Sequence, residues 1–194
     1  MNLVDRVKNI IVSPKTEWEV IAEETPDTGG IFMGYVLPLA AVAAIATFIG
    51  TGFIGIMGFA STTLGIVQGI VSLISTTVAV FATAFIVDAL AGSFASEKNF
   101  GRALQLVAYG YTPAWLGGIL AIFPPIAMIG SLFGLYGIYL MYLGFPHMMK
   151  TPKDKVVVYM IVTFVILMIV YFVLFSVLTG ILVSVFGLSL LSMM

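Results

Sequence analysis

Long apolar stretches alternate with short polar segments along this chain. Five stretches reach the length of about 20 apolar residues that a membrane-crossing helix needs. They contain no Lys or Arg and cover residues 31–53, 64–91, 103–123, 126–145 and 156–178. The pattern predicts an all-α, polytopic membrane protein in which five transmembrane helices form a bundle over residues 31–190, preceded by a cytoplasmic amphipathic segment, residues 1–30.

The composition excludes a soluble fold and several kinds of chemistry. Hydrophobic residues make up 61% of the chain and charged residues 9%, whereas soluble domains average about 45–50% and about 25%. The net charge of −1 and the lack of a basic patch give no reason to expect a nucleic-acid partner. Without cysteine, disulfides and thiolate sites are excluded.

Prolines shape the middle of the bundle. Pro124 and Pro125 cannot both lie inside a regular helix, so the third and fourth stretches are predicted to form a tight hairpin. Pro113 lies midway along the third stretch and has no N–H. The carbonyl of Tyr109 therefore loses its helical partner, and we expect a kink at this point.

The positions of the basic residues predict the orientation. All eight Lys and Arg residues fall before the first stretch, between the second and third, or between the fourth and fifth. Cytoplasmic loops are enriched in these residues, so we expect a cytoplasmic N-terminus and an external C-terminus. A turn at Thr179-Gly180 would instead create a sixth span, whose end would lie inside without a cation.

The N-terminal segment predicts two short helices separated by Ser13-Pro14. Residues 2–12 place one apolar stripe on a helix, and the spacing of Thr16 and Glu19 is typical of a capping box that opens a second helix containing Trp18. The polar face opposite the stripe consists of Asp5, Arg6, Lys8 and Asn9. Two interpretations remain open: an interfacial anchor with Trp18 among lipid headgroups, or a docking surface for a soluble partner.

Asp88 is the only ionisable residue inside a span apart from tyrosines, and such residues are functional candidates. The candidate polar intramembrane site comprises Asp88, Tyr109, Tyr111, Pro113, Tyr136 and Tyr139. These residues could line a cavity that opens inward. The alternatives are that Asp88 reaches interfacial water or pairs with Lys98 or Arg102, and that the tyrosines form an aromatic belt beside a packing kink.

Small residues recur at helix-packing spacing, as in Gly65/Gly69, Gly130/Gly134 and Ala40/Ala44. The one histidine, His147, is predicted to lie in a loop. We find no metal-ligand cluster, nucleophile motif or phosphate-binding loop in the sequence. We therefore expect neither catalysis nor a cofactor.

Several short segments together resemble the Yip domain family in its bacterial form. They are Ser13-Pro14-Lys15-Thr16-Glu17-Trp18, Leu90-Ala91-Gly92-Ser93-Phe94, Lys98-Asn99-Phe100, Ala103-Leu104, Tyr109-Gly110-Tyr111-Thr112-Pro113-Ala114-Trp115, Leu135-Tyr136-Gly137-Ile138-Tyr139, Tyr142-Leu143-Gly144-Phe145-Pro146 and Lys150-Thr151-Pro152-Lys153-Asp154-Lys155. The resemblance implies five spans and a cytoplasmic N-terminus. Eukaryotic members act at Golgi and endoplasmic reticulum membranes and associate with prenylated Rab-type GTPases, but they carry a longer N-terminal domain than this chain.

Two functional hypotheses follow. The first is a non-enzymatic protein of the bacterial inner membrane, or alternatively of Golgi or endoplasmic reticulum membranes, that binds other membrane proteins or a second copy of itself. A GTPase partner is suggested only by analogy with the family. The candidate contacts on its cytoplasmic face are Trp18, Lys98, Arg102, Lys150 and Lys153. The second hypothesis is a small transporter or channel.

Overall fold

The computed structural model describes residues 2–55 and 59–182, and the described part is built from helices. Two short helices open the chain, α1 (Leu3–Val12) and α2 (Pro14–Glu23). The longer elements are α3 (Thr28–Ile54), α4 (Thr62–Phe94), α5 (Phe100–Gly110), α6 (Thr112–Gly118), α7 (Pro124–Met148) and α8 (Val156–Leu182). A 3₁₀ turn, Ile119–Ile122, extends α6.

Within residues 2–55 and 59–182, four helices are long and apolar enough to cross a membrane: α3, α4, α7 and the Val156–Val173 part of α8. They coincide with the first, second, fourth and fifth predicted spans. The third predicted span, residues 103–123, is not one continuous helix, because α5 ends at Gly110 and α6 begins at Thr112. Pro113 lies in the first turn of α6, where its missing N–H is tolerated. The expected kink is therefore a break.

The chain does not turn back at Thr179-Gly180. Helix α8 continues through both residues to Leu182, so a sixth span cannot begin with a turn at that position. The predicted outer segment falls largely on residues 183–194, which lie outside the described part of the chain.

The predicted hairpin between the third and fourth stretches is confirmed, and glycines hold it together. Phe123 is extended between the 3₁₀ turn and Pro124, and α6 packs against α7. A Cβ atom on Gly117 would lie 2.2 Å from the carbonyl oxygen of Gly130, and the reverse distance is also 2.2 Å. The two backbones therefore touch. Gly134, one turn further along, faces open space.

Hydrogen bonds join the polar segments at one end of the bundle. The Glu97 N–H donates to the Met149 carbonyl at 2.8 Å. The Arg102 guanidinium donates to the carbonyls of Ile21 at 3.1 Å and Ala22 at 2.9 Å. The three segments that carry the basic residues, 2–27, 95–102 and 149–155, thus share one end, called the cation-bearing end below.

The N-terminal helices pack onto the bundle through large buried side chains. Trp18 is 0% exposed, and its ring lies so close to Gly144 of α7 that an added Cβ would come within 2.7 Å. Ile10 and Ile21 are equally buried. The interpretation that places Trp18 among lipid headgroups is therefore wrong, because this side chain packs against Tyr109 of α5 and Gly144 of α7. As folded, Trp18 also presents no surface to a partner.

We predict that Gly130→Ala destabilises the protein by about 2 kcal/mol, because the added methyl group overpacks a backbone contact. Gly134→Ala is the matched control, since nothing lies within 4 Å of its added Cβ. Reversible unfolding in mixed detergent micelles, followed by circular dichroism, measures both. Equal stability of the two variants would contradict the proposed contact.

Candidate functional site

A buried ion cluster lies at the cation-bearing end. The Arg6 side chain is 6% exposed, and its Nη1 donates to Glu17 Oε1 at 2.6 Å. Its Nη2 makes a second ion pair with Glu24 Oε1. The guanidinium carbon also lies 5.3 Å from the centre of the Tyr109 ring, within the range of a cation–π interaction. We call Arg6, Glu17, Glu24 and Tyr109 the Arg6 cluster.

The local sequence explains how the cluster forms. Asn2 caps α1 by accepting the Asp5 N–H at 2.9 Å, and α1 ends at Val12 before Pro14 starts α2. The break lets α2 bring Glu17 alongside Arg6. A buried charge is tolerated only when it is fully paired, and two carboxylates and an aromatic ring meet this need.

A polar pocket of about 320 Å³ lies beside the Arg6 cluster. Residues from α1, α3, α5 and the α2–α3 connection line it: Asn2, Leu3, Arg6, Glu24, Thr25, Asp27, Gly30, Ile31, Gly34, Tyr35, Gln105 and Tyr109. The Tyr35 hydroxyl is bonded to the Thr112 hydroxyl at 2.7 Å, which ties α3 to the start of α6. Tyr35 and Tyr109 meet edge to face, with ring centres 4.7 Å apart.

A second cavity, an apolar groove of about 570 Å³, lies deeper between the helices. Its lining residues include Tyr111, Gly134, Gly137 and Met141. The Tyr111 hydroxyl is bonded to the Thr83 hydroxyl at 2.9 Å. Gly110 of α5, Ala114 of α6 and side chains of α7 and α8 form the remaining walls. The groove therefore borders the apolar surface of the bundle.

Asp88 lies apart from both cavities. Its Oδ1 is enclosed and has no hydrogen-bond partner within the described residues. The alternative that Asp88 pairs with Arg102 is wrong, because that guanidinium binds the carbonyls of Ile21 and Ala22 and the Gln105 side chain. Lys98 is exposed. Over residues 2–55 and 59–182, both ion pairs shorter than 4.0 Å belong to Arg6, so Asp88 does not pair with Lys98 either.

The candidate polar residues are distributed over several places. Tyr109 lines the polar pocket and Tyr111 the apolar groove, whereas Asp88 lines neither. Tyr136 donates to the Ile11 carbonyl at 2.8 Å, which fastens α1 to α7. Tyr139 is 42% exposed beside Tyr136, and the centres of the two rings are 5.7 Å apart. Pro113 is buried.

The sequence pattern missed the three charged residues of the Arg6 cluster, whereas its fourth member, Tyr109, was among the candidate site residues. It placed Arg6 on the polar, outward face of α1, but the structure buries the side chain. The reason is that Glu17 and Glu24 approach from α2 and its C-terminal end and neutralise the charge. The sequence pattern did not distinguish three further residues near the polar pocket from other polar residues within helices: Tyr35, Gln105 and Thr112.

Among the predicted cytoplasmic-face contacts, three lysines are available at the surface. Lys98, Lys150 and Lys153 are exposed on the two loops that the Glu97–Met149 hydrogen bond joins. Arg102 is half-buried and clamps the end of α2.

Long apolar helices and a polar end that gathers the basic residues define a helical integral membrane protein. The chain belongs to the Yip1 domain family, since the profile of the Yip1 domain matches residues 8–175. It is similar to the inner membrane protein YohC of Escherichia coli K12, with 25% identity over 162 residues, covering 78% of this chain and 83% of YohC. YohC of Escherichia coli O6:H1 matches with the same figures. No solved structure matches the chain.

We predict that Arg6→Met destabilises the docking of α1 and α2 by about 3–5 kcal/mol, because Glu17 is left buried without a partner. The emission of Trp18, recorded in a Trp115→Phe background, should shift to the red as the indole enters water. Lys8→Met on the exposed face of α1 is the control and should leave the spectrum unchanged. Adding Glu17→Met to Arg6→Met should restore much of the docking. An unchanged spectrum in Arg6→Met would show that the ion pairs do not hold the helices.

Proposed function

We propose that this protein crosses the membrane five times and is a non-enzymatic protein that binds partner proteins at its cation-bearing end. The observation that carries the proposal is the assembly of exposed lysines from two loops, beside α1 and α2, on one folded surface. The Glu97–Met149 hydrogen bond and the bond between the Ser96 and Thr151 hydroxyls, 2.8 Å long, hold those loops together.

The path of the chain supports a fifth crossing over residues 100–122. Helix α4 ends at the cation-bearing end, and α7 returns to it at Met148. Because α7 has 25 residues and each adds about 1.5 Å, its start at Pro124 belongs to the opposite end. The segment between Phe100 and Phe123 must therefore traverse the bundle, as a broken helix.

The distribution of charge supports a cytoplasmic position for the cation-bearing end. All eight Lys and Arg residues lie in its three segments, and cytoplasmic loops are the ones enriched in these residues. The relatives are inner membrane proteins by name, which supports a place in a bacterial inner membrane.

The surface of this end suits a protein partner with acidic and apolar side chains. Lys98, Lys150 and Lys153 supply the positive charge, and Val4 and Val12 of α1 are 72% and 70% exposed. Exposed carboxylates on the neighbouring helix α2, such as Glu19 and Glu23, oppose tight binding to anionic lipid. This is why we favour a protein over the lipid surface as the main partner, either another membrane protein or a second copy.

A non-enzymatic role is supported by the chemistry that the chain carries. It has no cysteine and one histidine, His147, which lines neither cavity. The prediction that His147 lies in a loop is wrong, because this residue belongs to the last turn of α7. Of the candidate polar site, Asp88 lines neither cavity, and Tyr109 and Tyr111 line different ones.

A transporter is the second candidate, and the polar pocket supports it. The separation of Asp88, Tyr109 and Tyr111 argues against one polar pathway through these three residues. The test is a measurement of solute flux into liposomes that contain the protein. Flux that is lost in both Tyr109→Phe and Asp88→Asn would favour the transporter over the partner-binding protein.

We predict that single cysteines at Lys98 and Lys153 react with a membrane-impermeant maleimide only after spheroplasts are permeabilised. Cysteines at Phe59 and Phe123 should react from outside without permeabilisation. The chain has no native cysteine, so each label reports one position. If the cysteines that replace Lys98 and Lys153 were labelled from opposite sides of the membrane, the topology would be refuted.

We predict that a photo-reactive amino acid at Val12 crosslinks discrete proteins in native membranes. Replacing Lys98, Lys150 and Lys153 together by Glu should reduce these products by at least about fivefold, since the reversal opposes an acidic partner. The matched control is the variant in which the same three lysines are replaced by Arg, because it keeps the positive charge.

The probe placed at Val71, which is 50% exposed on α4, reports crosslinking from the apolar surface of the bundle. Products that are identical from Val12 and Val71, or that survive charge reversal, would refute binding at the cation-bearing end.

A further inference from the structure

The polar pocket holds more negative than positive charge. Glu24 and Asp27 line it, and Glu17 contacts its Arg6 from behind. Glu17 and Glu24 both pair with the Arg6 guanidinium. The Asp27 carboxylate accepts the Gly30 N–H and makes no ion pair within the described residues, and Arg102 reaches the wall only through the Gln105 side chain. Even with Arg102 included, acidic groups are in excess, so the pocket favours a cation.

Besides the excess of acidic groups, the hydroxyl group of Tyr109 independently indicates that the polar pocket binds a ligand. The residue is 6% exposed and lines the pocket. Its hydroxyl makes no hydrogen bond within the described residues, yet it is not among the fully enclosed polar atoms. A buried hydroxyl normally finds a partner, and here the one surface it can reach is the pocket.

The kind of cation follows from the arrangement of the carboxylates. No group of three His, Asp or Glu side chains in the described part of the chain is close enough to hold a metal ion. The volume of about 320 Å³ suits a small organic group. Gly34 leaves the wall beside α3 open, since a Cβ there would meet nothing within 4 Å. The space in front of Gly30 is occupied by the Asp27 carboxylate, which would lie 2.4 Å from an added Cβ.

The position of the pocket fits a group at the membrane surface. Gly30, Ile31 and Gly34 belong to the first turns of α3, where that membrane-crossing helix begins. The pocket therefore opens at the depth of lipid headgroups, where both a headgroup and a water-soluble molecule can enter.

We propose that the polar pocket binds a primary ammonium group, carried by a lipid headgroup or by a small soluble amine. The ammonium donates to the carboxylates of Glu24 and Asp27 and to the hydroxyl oxygen of Tyr109. A primary ammonium has three N–H donors, which match these three acceptors. This site is separate from the lysine surface, so the proposal does not depend on a protein partner.

The test is native mass spectrometry of the full chain in detergent, titrated with phosphatidylethanolamine, phosphatidylcholine or phosphatidylglycerol. We expect phosphatidylethanolamine to bind at least about tenfold more tightly than phosphatidylcholine, whose methylated ammonium has no N–H donor, and than phosphatidylglycerol, which has no ammonium. In a second arm, free ethanolamine is titrated against the bound lipid.

Two substitutions test the acceptors without disturbing the fold. In the parent protein, Asp27 accepts a hydrogen bond of 3.0 Å from the Gly30 N–H. Asp27→Asn removes the charge but keeps this helix cap, because Asn caps helices as well as Asp. Tyr109→Phe removes a hydroxyl that has no internal partner. Each should weaken phosphatidylethanolamine binding about tenfold, the loss of one charge-assisted hydrogen bond. Glu19→Gln and Tyr139→Phe are the controls and should bind as the parent does.

Competition by free ethanolamine supports an ammonium site open to soluble amines, and binding of the lipid alone supports a headgroup site. Equal binding of all three lipids, or unchanged binding in both Asp27→Asn and Tyr109→Phe, overturns the proposal. An unchanged Trp18 emission spectrum in these two variants shows that lost binding does not come from lost folding.

Discussion

Direct contact between helix backbones is the interaction on which this structure depends. Lipid offers no hydrophobic force that drives two apolar helices together, so close packing must supply the attraction. Glycine supplies it at four crossings in the described part of the chain, where an added Cβ would come within 3.0 Å of the backbone opposite: Gly50 on Ala121, Gly65 on Gly52, Gly137 on Gly110 and Gly117 on Gly130. The last two fix the broken α5–α6 segment against α7. Because that segment carries Tyr109 and Thr112, the glycine contacts also position the wall of the polar pocket.

The break at Tyr111 is stable because the backbone groups beside it keep their hydrogen bonds and are shielded from lipid. Tyr111 still donates its N–H to the Val107 carbonyl at 2.9 Å, and its own carbonyl accepts the Trp115 N–H at 3.2 Å. Backbone groups at membrane depth must be bonded or shielded from lipid, and α5 is buried along most of its length. A continuous helix would not need such protection. The interrupted segment therefore belongs in the centre of the bundle, where its tyrosines meet other helices instead of lipid.

Hydropathy and proline positions were sufficient to predict the long helices, the hairpin at Pro124 and the interruption near Pro113, because each depends on local sequence. The Arg6 cluster could not be predicted in this way. Helical periodicity assigns Arg6 to water, and its burial depends on Glu17 and Glu24, which are 11 and 18 residues away. The same limit applies to Trp18, since an amphipathic helix has the same pattern whether its apolar face meets lipid or protein. Residues far away in the sequence decide whether the apolar face meets lipid or protein, and the periodicity of one helix carries no information about them.

The buried ion pairs connect the fold with the proposed functions. They fasten α1 to α2, and the contact of Arg6 with the Tyr109 ring joins this pair of helices to the bundle. Hydrogen bonds between the two loops hold the lysine surface beside them, so that surface is folded before any partner arrives. A preformed surface loses less conformational entropy on binding than a flexible arm does. The same ion pairs occupy Arg6, which leaves Asp27 and the Tyr109 hydroxyl free to face the polar pocket. One arrangement of charges therefore makes two surfaces available at the cation-bearing end, a positive one on the loops for proteins and a negative one in the pocket for an ammonium group. Their opposite signs keep a ligand of one from competing for the other.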